Sequence, residues 1–356
     1  MCGIAGVIGK SKDPDFSHDL ITKLFERTET RGEDASGFWG TSKNNIVFYK
    51  QPIKSSEMVK KSLWGNLRDK NLDMLLTHCR AATPGVGKPA QNVNNHPFVS
   101  DDRLIGLIHN GNISEEYNDI KEDFNLASEC DSEVLLKLFE SVKWDYSRFF
   151  ERMTSKFNIP IAKRISGVRN IWRRIKKGHM AVAIGEQLEQ QRCLWLFRNE
   201  HRSLWLVDMR DELGQIFFCS TPEIWDEVAT FKKTLIELPP EEVWFFLYPS
   251  NTPLDDEHLH RFMLTNYKND LTLQEGDESV FEDDIPPQEI YHTPTDHEKE
   301  SLEINCSCIA DLALDINTIA SNDDGNICNF EDLISNVDDI KRDLENVMRL
   351  LNNGYY

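Results

Sequence analysis

Short apolar runs recur along the first 250 residues of the chain, each bounded by glycine, asparagine, aspartate or proline. Nine of them have the length of a strand and are rich in valine, isoleucine, phenylalanine and tryptophan, which is typical of buried β-strands. The nine runs cover residues 2–9, 45–50, 74–80, 104–111, 180–185, 193–199, 203–209, 215–220 and 242–248. This pattern predicts a protein with substantial sheet.

Helical stretches are predicted between some of these strands, at 16–30, 54–65, 114–122, 131–154, 160–177 and 221–230. The strands between 193 and 220 follow one another through short polar turns, which predicts an antiparallel meander. Runs of strands with helices inserted between only some of them favour a layered α+β architecture over a regular βαβ alternation.

The pattern changes after about residue 250. Residues 251–300 carry few large apolar side chains per charge, so we expect a mostly disordered acidic linker there. Residues 301–356 are expected to form a helical extension, because apolar residues return over 330–351 at alternating spacings of 3 and 4, the seam of a three-heptad helix. Two interpretations stay open: the helix packs on its own protein, or it binds a partner or a second copy.

Charge divides along the same boundary. The 356 residues carry 60 acidic and 40 basic side chains, a net charge of −20. Residues 1–250 hold 35 acidic and 34 basic side chains, whereas the remainder holds 25 and 6. The acidity is therefore a property of the C-terminal extension, and the body is nearly neutral.

Composition excludes several classes of protein. A hydrophobic fraction of 40% indicates a globular chain with a sizeable core. No apolar window is long enough to span a membrane and the N-terminus lacks a secretory signal, so we expect a cytoplasmic protein. Its eight cysteines are irregularly spaced and include no CxxC pair, which argues against a disulfide framework or structural zinc. We expect no metal and no cofactor.

The second residue carries candidate chemistry. If the initiator methionine is removed, Cys2 becomes the N-terminus and presents a free amine beside its thiol. An α-amine has a pKa of roughly 7.7 to 8.0 and can accept the proton of its own side-chain nucleophile. Taken alone, the cysteine could equally be a small buried apolar residue.

Five further motifs accompany Cys2. They are Arg31–Gly37 (RGEDASG), Thr77–Thr83 (THCRAAT), Asn94–Phe98 (NNHPF), His109–Asn112 (HNGN) and Ser128–Glu133 (SECDSE). In order and approximate spacing they resemble the class II glutamine amidotransferase domain, an N-terminal-nucleophile hydrolase. Their residues are most similar to those of the glutaminase halves of glucosamine-6-phosphate synthase and amidophosphoribosyltransferase. The resemblance covers about residues 2–248.

The resemblance implies a fold and a set of roles. The fold is an αββα sandwich, in which two mainly antiparallel sheets are stacked between helical layers. Cys2 is implied as the nucleophile, which forms a γ-glutamyl thioester, and the Asn110 side chain with the Gly111 backbone N–H as the oxyanion hole.

The substrate-binding roles are implied in the same way. Arg80 would grip the α-carboxylate of glutamine, because its planar guanidinium suits bidentate pairing. Asp131 would accept hydrogen bonds from the α-ammonium group, and Thr83 belongs to a loop that closes over the substrate.

Structural interpretations of the same residues stay open. Asn110-Gly111 is a common hairpin-turn dipeptide. Asp131 suits the N-cap or first turn of a helix. We interpret His96 and His109 as structural hydrogen-bonding residues, because the mechanism already has a base.

The glutamine loop departs from the family. Glucosamine-6-phosphate synthase has a tryptophan after the arginine and a histidine after the threonine, where this chain has Ala81 and Pro84. The tryptophan helps to gate the ammonia path in that enzyme. We therefore expect the gate to be absent or rebuilt here.

A second unusual segment is Lys156–Lys177, which holds eight basic residues and no acidic one. Apolar residues at helical spacing predict the buried stripe of an amphipathic helix. The basic face is then solvated, or docks the acidic extension, or binds an anionic partner. Nucleic acid is disfavoured, because few aromatic residues are interleaved with the charges.

The C-terminal 106 residues contain neither a phosphate-binding loop nor a dinucleotide fingerprint, so we do not expect them to house an ammonia-accepting domain. We therefore expect a glutaminase subunit that passes ammonia to a synthase on a separate chain. The alternative is a non-catalytic glutamine sensor or scaffold that acts through its C-terminal helix.

Overall fold

Two antiparallel sheets dominate the computed structural model, which describes residues 2–42, 45–70, 72–82, 87–141, 153–154, 156–250 and 252–264. The strands are β1 Gly3–Ile8, β2 Ala35–Ser42, β3 Asn45–Gln51, β4 Met74–Arg80, β5 Phe98–Val99, β6 Ile105–Asn112, β7 His179–Gln187, β8 Gln191–Arg198, β9 Trp205–Met209, β10 Gln215–Cys219, β11 Leu235–Glu237, β12 Glu242–Pro249 and β13 Leu259–Met263. The first sheet has the order β11-β9-β10-β1-β4-β2-β3, and the second β13-β12-β8-β7-β6-β5.

Helices lie between the strands. They are α1 Pro14–Thr28, α2 Ser55–Met58, α3 Ser62–Gly65, α4 Ser114–Ile120, α5 Ser132–Glu140, α6 Ile159–Arg174, α7 Arg210–Leu213 and α8 Pro222–Asp226. The first of them begins where Asp13 accepts a hydrogen bond from the backbone N–H of Phe16 and Pro14 starts the helix. The predicted helix 54–65 is two short helices. Of the predicted helix 131–154, most of the part from 142 onward lies outside the described residues.

Three apolar clusters define four layers. One cluster joins α1 to the first sheet, and another joins α5 and α6 to the second. The third, which we call the between-sheet core, draws side chains from both sheets. Its members include Ile4, Ile8, Trp39, Met74, Leu76, Ile108, Ala181, Ala183, Leu194, Leu196, Leu206 and Phe218. The predicted αββα sandwich is confirmed.

The predicted meander from 193 to 220 is wrong at its first link. β8 pairs with β7 and β12 in the second sheet, whereas β9 pairs with β10 and β11 in the first. The connection between β8 and β9 therefore crosses between sheets, and Leu204 on it is buried in the between-sheet core. A short polar turn does not reveal whether the next strand pairs with its predecessor or changes sheet.

Some strands carry no clear sequence signal. β2 reads ASGFWGTS, with few β-branched residues, yet all of its residues are buried. Its small side chains suit a strand that lies between β3 and β4 and is covered on both faces. Propensity misses such a strand because packing, not intrinsic preference, decides its composition.

The expected linker 251–300 needs correction in its first part. Residues Leu259–Met263 form β13, which pairs with β12 and buries Phe262. The sheet therefore continues beyond the expected domain end at 248. Charged and polar residues on this edge strand conceal it from a composition argument. The rest of the linker, the extension 301–356 and its seam 330–351 lie outside the described residues.

Helix α6 carries the predicted buried stripe, with Ile161, Ile165 and Val168 in the core beneath the second sheet. Basic side chains of the same segment pair with acidic residues of the same body. The pairs are Arg164 with Glu186, Arg174 with Asp123 and Lys177 with Glu115. Arg174 and Lys177 are exposed, as a solvated basic face requires, whereas the pair of Arg164 with Glu186 is largely buried.

The packing of Trp39 predicts the effect of a single methyl group. A Cβ on Gly185 would lie 2.4 Å from the Trp39 ring, so Gly185→Ala should lower the free energy of unfolding by about 1–3 kcal/mol. A Cβ on the helical Gly65 would meet nothing within 4 Å, so Gly65→Ala should raise it by roughly 0.5–1 kcal/mol. Urea denaturation measures both, and equal midpoints for the two variants would contradict this packing.

Candidate active site

The Cys2 thiol lies at the end of the between-sheet core. Alternate residues of β1 face that core, as Ile4 and Ile8 show, and Cys2 continues the same face. Its Sγ accepts from the Ala81 backbone N–H at 3.4 Å and lies 3.5 Å from the Ala81 carbonyl oxygen. Burial raises the pKa of the thiol, while the Ala81 N–H and the Arg80 charge oppose that rise. A nearby base is therefore needed to form the thiolate.

Arg80 ends β4 and lies on the same side of the first sheet as Leu76, a member of the between-sheet core. Only 3% of the residue is exposed. Its Nη1 donates to Asn95 Oδ1 at 2.8 Å, and its Nη2 donates to the Gly87 carbonyl at 2.9 Å. These contacts orient the guanidinium next to the Cys2 thiol.

Asp131 occupies the N-cap position of α5, but its side chain does not cap the helix. Instead its Oδ2 accepts from the backbone N–H of Ile113 at 2.8 Å, directly after β6. The buried carboxylate therefore ties the start of α5 to the end of the strand that carries Asn110 and Gly111. The charge of Asp131 also raises the pKa of the Cys2 thiol, as expected of a carboxylate close to it.

Asn110 and Gly111 are not a turn. Both lie within β6, opposite Ala181 and Met180 of β7. Asn110 is 1% exposed, and its Nδ2 has no hydrogen-bond partner among the residues the structure describes. Its alternation with Ile108 directs the side chain toward the between-sheet core, as for Cys2 and Arg80. A buried amide donor without a partner is costly to folding, which makes this nitrogen a candidate donor to a ligand.

Gly111 is required by a close approach of two backbones. A Cβ at this position would lie 1.8 Å from the His179 carbonyl oxygen and 2.4 Å from His109 Nε2. No other residue fits without displacement of β7. At Gly111, therefore, only the backbone of β6 is available for contacts.

Thr83 and Pro84 lie outside the described residues, as do Gly85 and Val86. The structure therefore does not place the predicted substrate contact of Thr83 or the rebuilt gate. Ala81, immediately before this loop, serves the site through its backbone, since its N–H and carbonyl are the groups that face the thiol.

Three buried histidines surround the site and are neutral at pH 7. Burial lowers the pKa of His78 to about 3 and lowers those of His96 and His109 as well. His109 contacts Ser132 Oγ at 2.8 Å and the His179 carbonyl at 3.2 Å, in agreement with a structural role. His96 differs from that expectation: it stacks on His78 at 3.9 Å between ring centroids, and neither ring nitrogen has a partner within the described ranges.

Two residues near Arg80 escaped the sequence argument. Asn95, which is fully buried, accepts from Arg80 and donates through Nδ2 to the Pro89 carbonyl at 2.8 Å. Lys50 donates to the carbonyl of Asn95 at 2.6 Å. The NNHPF motif contained the signal for Asn95, whereas Lys50 carried none, because its contacts depend on pairing between distant segments.

Comparisons with known proteins bear on this arrangement. No protein-family model matches the chain. An isomerizing glutamine–fructose-6-phosphate aminotransferase of Bacillus thuringiensis subsp. konkukian is 33% identical over 146 residues, which cover 39% of this chain and 22% of the relative. The Staphylococcus aureus (strain Mu50) protein of the same name is 32% identical over 144 residues, with the same coverage. The match thus spans about a fifth of these relatives' length.

Two solved structures are similar to this chain. The allosteric regulatory enzyme of purine biosynthesis has a TM-score of 0.52 and 19% identity, over 75% of this chain and 50% of that one. The glutamine phosphoribosylpyrophosphate amidotransferase of B. subtilis has a TM-score of 0.48 and 20% identity, over 74% and 49%.

At this identity the first of these structures shows the shared fold alone, the sandwich of two stacked antiparallel sheets. The sequence match and the shared fold both agree with the resemblance to a class II glutamine amidotransferase domain. Across the described ranges, no group of three or more His, Cys, Asp or Glu is placed to hold a metal ion. No helix in that part of the chain is long and apolar enough to cross a membrane.

Proposed function

We propose that this protein hydrolyses L-glutamine to glutamate and ammonia through a thioester on Cys2. The observation that carries the proposal is the convergence, at one end of the between-sheet core, of the Cys2 thiol with Arg80, Asp131 and the unpartnered amide of Asn110. The names of the curated relatives support glutamine as the nitrogen donor.

The reaction begins with the Cys2 thiol and the α-amine that removal of Met1 would free. The amine takes the thiol proton, and the sulfur attacks the side-chain amide carbon of glutamine. Negative charge develops on the amide oxygen, where the Asn110 side chain and the Gly111 backbone N–H donate to it. The C–N bond then breaks, ammonia leaves with the proton from the amine, and water hydrolyses the thioester to glutamate.

Substrate recognition is assigned to the two buried charges. Arg80 binds the α-carboxylate, and Asp131 accepts from the α-ammonium group, so together they select a free amino acid. Thr83, which lies outside the described residues, is assigned as a further substrate-binding residue by the family resemblance. Ammonia then passes to an acceptor on a separate synthase chain in the cytoplasm. The names of the relatives support the transfer of the glutamine nitrogen to an acceptor, and the separate chain is our own proposal.

Removal of the nucleophile is the direct test. Cys2→Ala should abolish glutamate release, measured with L-glutamine and the N-terminally processed full chain, because no thioester can form. Cys193→Ala should keep full activity, since Cys193 is buried on the helix-covered face of the second sheet. Activity in Cys2→Ala would overturn the proposal, and glutamine binding without glutamate release in the wild-type protein would favour the sensor.

An electrophilic glutamine analogue gives the same test a chemical readout. Cys2 is partly exposed and would have the α-amine beside its thiol, whereas the other cysteines that the structure describes are fully buried, with pKa values raised by burial to about 12 for Cys130 and Cys219. Peptide mapping by mass spectrometry should therefore find the adduct on Cys2. An adduct on Cys130 in place of Cys2 would contradict the assignment.

The oxyanion role of Asn110 separates activity from stability. Asn110→Leu should lower kcat by about 10²–10³-fold, because one donor to the oxyanion is lost. The free energy of unfolding should stay equal or rise, because the variant removes a buried donor that has no partner in the described structure. Steady-state kinetics and urea denaturation measure the two effects, and a kcat within threefold of wild type would exclude the role.

The position of β13 decides where the acidic extension can be removed. A chain cut after Leu264 retains β13 and should keep glutaminase activity, whereas a cut at 250 removes a paired strand. If the extension docks the synthase, the chain cut after Leu264 should lose that protein in co-purification followed by mass spectrometry. An unchanged set of bound proteins would exclude docking through the extension.

A further inference from the structure

Lys50 points into the same end of the between-sheet space as the active site. It lies near the end of β3, the edge strand of the first sheet, where the alternate residues Ile46 and Phe48 pack against the between-sheet core. Its Nζ donates to the backbone carbonyls of Asn95 at 2.6 Å, Pro97 at 3.1 Å and Val93 at 3.5 Å. These three acceptors match the three donors of an ammonium group.

The segment 93–97, which Lys50 holds, forms hydrogen bonds to Arg80 and to the backbone just before Asp131. Asn95 in this segment accepts from Arg80 Nη1 at 2.8 Å. Its neighbour Asn94 accepts through Oδ1 from the backbone N–H of Glu129 at 2.9 Å, two residues before Asp131. Asn92 Nδ2 in turn donates a hydrogen bond to the Lys50 backbone carbonyl at 2.8 Å, so Lys50 is also held from this side.

We propose that Lys50 is a positioning residue for glutamine: its ammonium group fixes segment 93–97, so that Asn95 holds Arg80 in the orientation that binds the α-carboxylate. This inference rests on the proposed function. Lys50 itself need not touch the substrate, because it acts through Asn95.

The charge state of Lys50 changes between pH 7 and pH 9. Burial lowers its pKa to about 8; the charge of Glu133, in the first turn of α5, opposes that shift, and Arg80 on β4 adds to it. The ammonium form therefore dominates at pH 7 and the neutral amine at pH 9. Deprotonation removes one of three donors and the positive charge, so the hold on segment 93–97 weakens as pH rises through 8.

The test compares kcat and KM for glutamine in the full-length wild type, Lys50→Met and Lys50→Arg at pH 7 and pH 9. At pH 7, Lys50→Met should raise KM by about tenfold with kcat within about twofold, because binding of the carboxylate is lost equally from ground and transition states. Lys50→Arg should recover most of the affinity, since it keeps charged donors. Lys60→Met, which changes an exposed lysine, is the matched control and should leave both constants unchanged.

The pH dependence separates positioning from a general structural role. The ratio of KM between Lys50→Met and wild type should fall from about ten at pH 7 toward one at pH 9, because wild-type Lys50 itself loses its charge. An equal KM in both proteins at pH 7, or a ratio that does not change with pH, would overturn the inference.

Calorimetric titration with glutamine keeps this inference separate from the proposed activity. A wild-type protein that binds glutamine but releases no glutamate would refute the hydrolase and leave Lys50 to be judged by the Kd ratio at the two pH values. Hydrolysis by wild type with an unchanged Kd in Lys50→Met would refute the inference alone. Absence of glutamine binding in wild type would refute both.

Discussion

The insertion of Trp39 between the two sheets is the contact on which the site depends. Trp39 projects from β2 of the first sheet, is fully buried, and meets two glycines of the second. Gly106 and Gly185 are direct partners across β6 and β7, and a Cβ on either would lie 2.4 Å from the indole. The contact of the Trp39 indole with these two glycines sets how closely the sheets approach, because two sheets packed at this density cannot slide past each other by a fraction of a residue. The separation of Cys2 and Arg80 on one sheet from Asn110 on the other follows from it.

The between-sheet space changes character along its length. Apolar side chains such as Ile4, Leu76 and Ile108 fill its middle, and polar residues continue the same strand faces at one end. There the structure keeps groups that a core ordinarily excludes: an amide nitrogen without a partner in the described chain and histidines whose pKa is lowered by burial. Such departures from good packing are expected where a site must bind a polar substrate. The apolar remainder of the space stabilises the fold enough to tolerate them.

Particular elements show how far local pattern reaches. Strands such as β1, β4, β6 and β12 were predictable because continuous apolar runs survive whatever the partner strand is. β2 was not predictable, because it is covered on both faces and is built largely of small residues where a typical strand has β-branched ones. β13 was missed because this edge strand contains charged and polar residues. The dipeptide Asn110-Gly111 shows the limit of turn propensity. Its turn propensity is overridden by pairing with β7, where the backbone of His179 demands a glycine.

The sequence by itself determined the candidate chemistry and the division of charge along the chain: a cysteine at position 2, the ordered motifs around Arg80, Asn110 and Asp131, and an acidic extension after a neutral body. These depend on residue identity and order, which a sequence states directly. The tertiary structure alone decided that the sheets stack with these faces together, that Asn110 is buried without a partner, and that Lys50 reaches Arg80 through Asn95. Those contacts join segments far apart in the chain, and their geometry arises only when strand pairing and sheet stacking have fixed which side chains share one space.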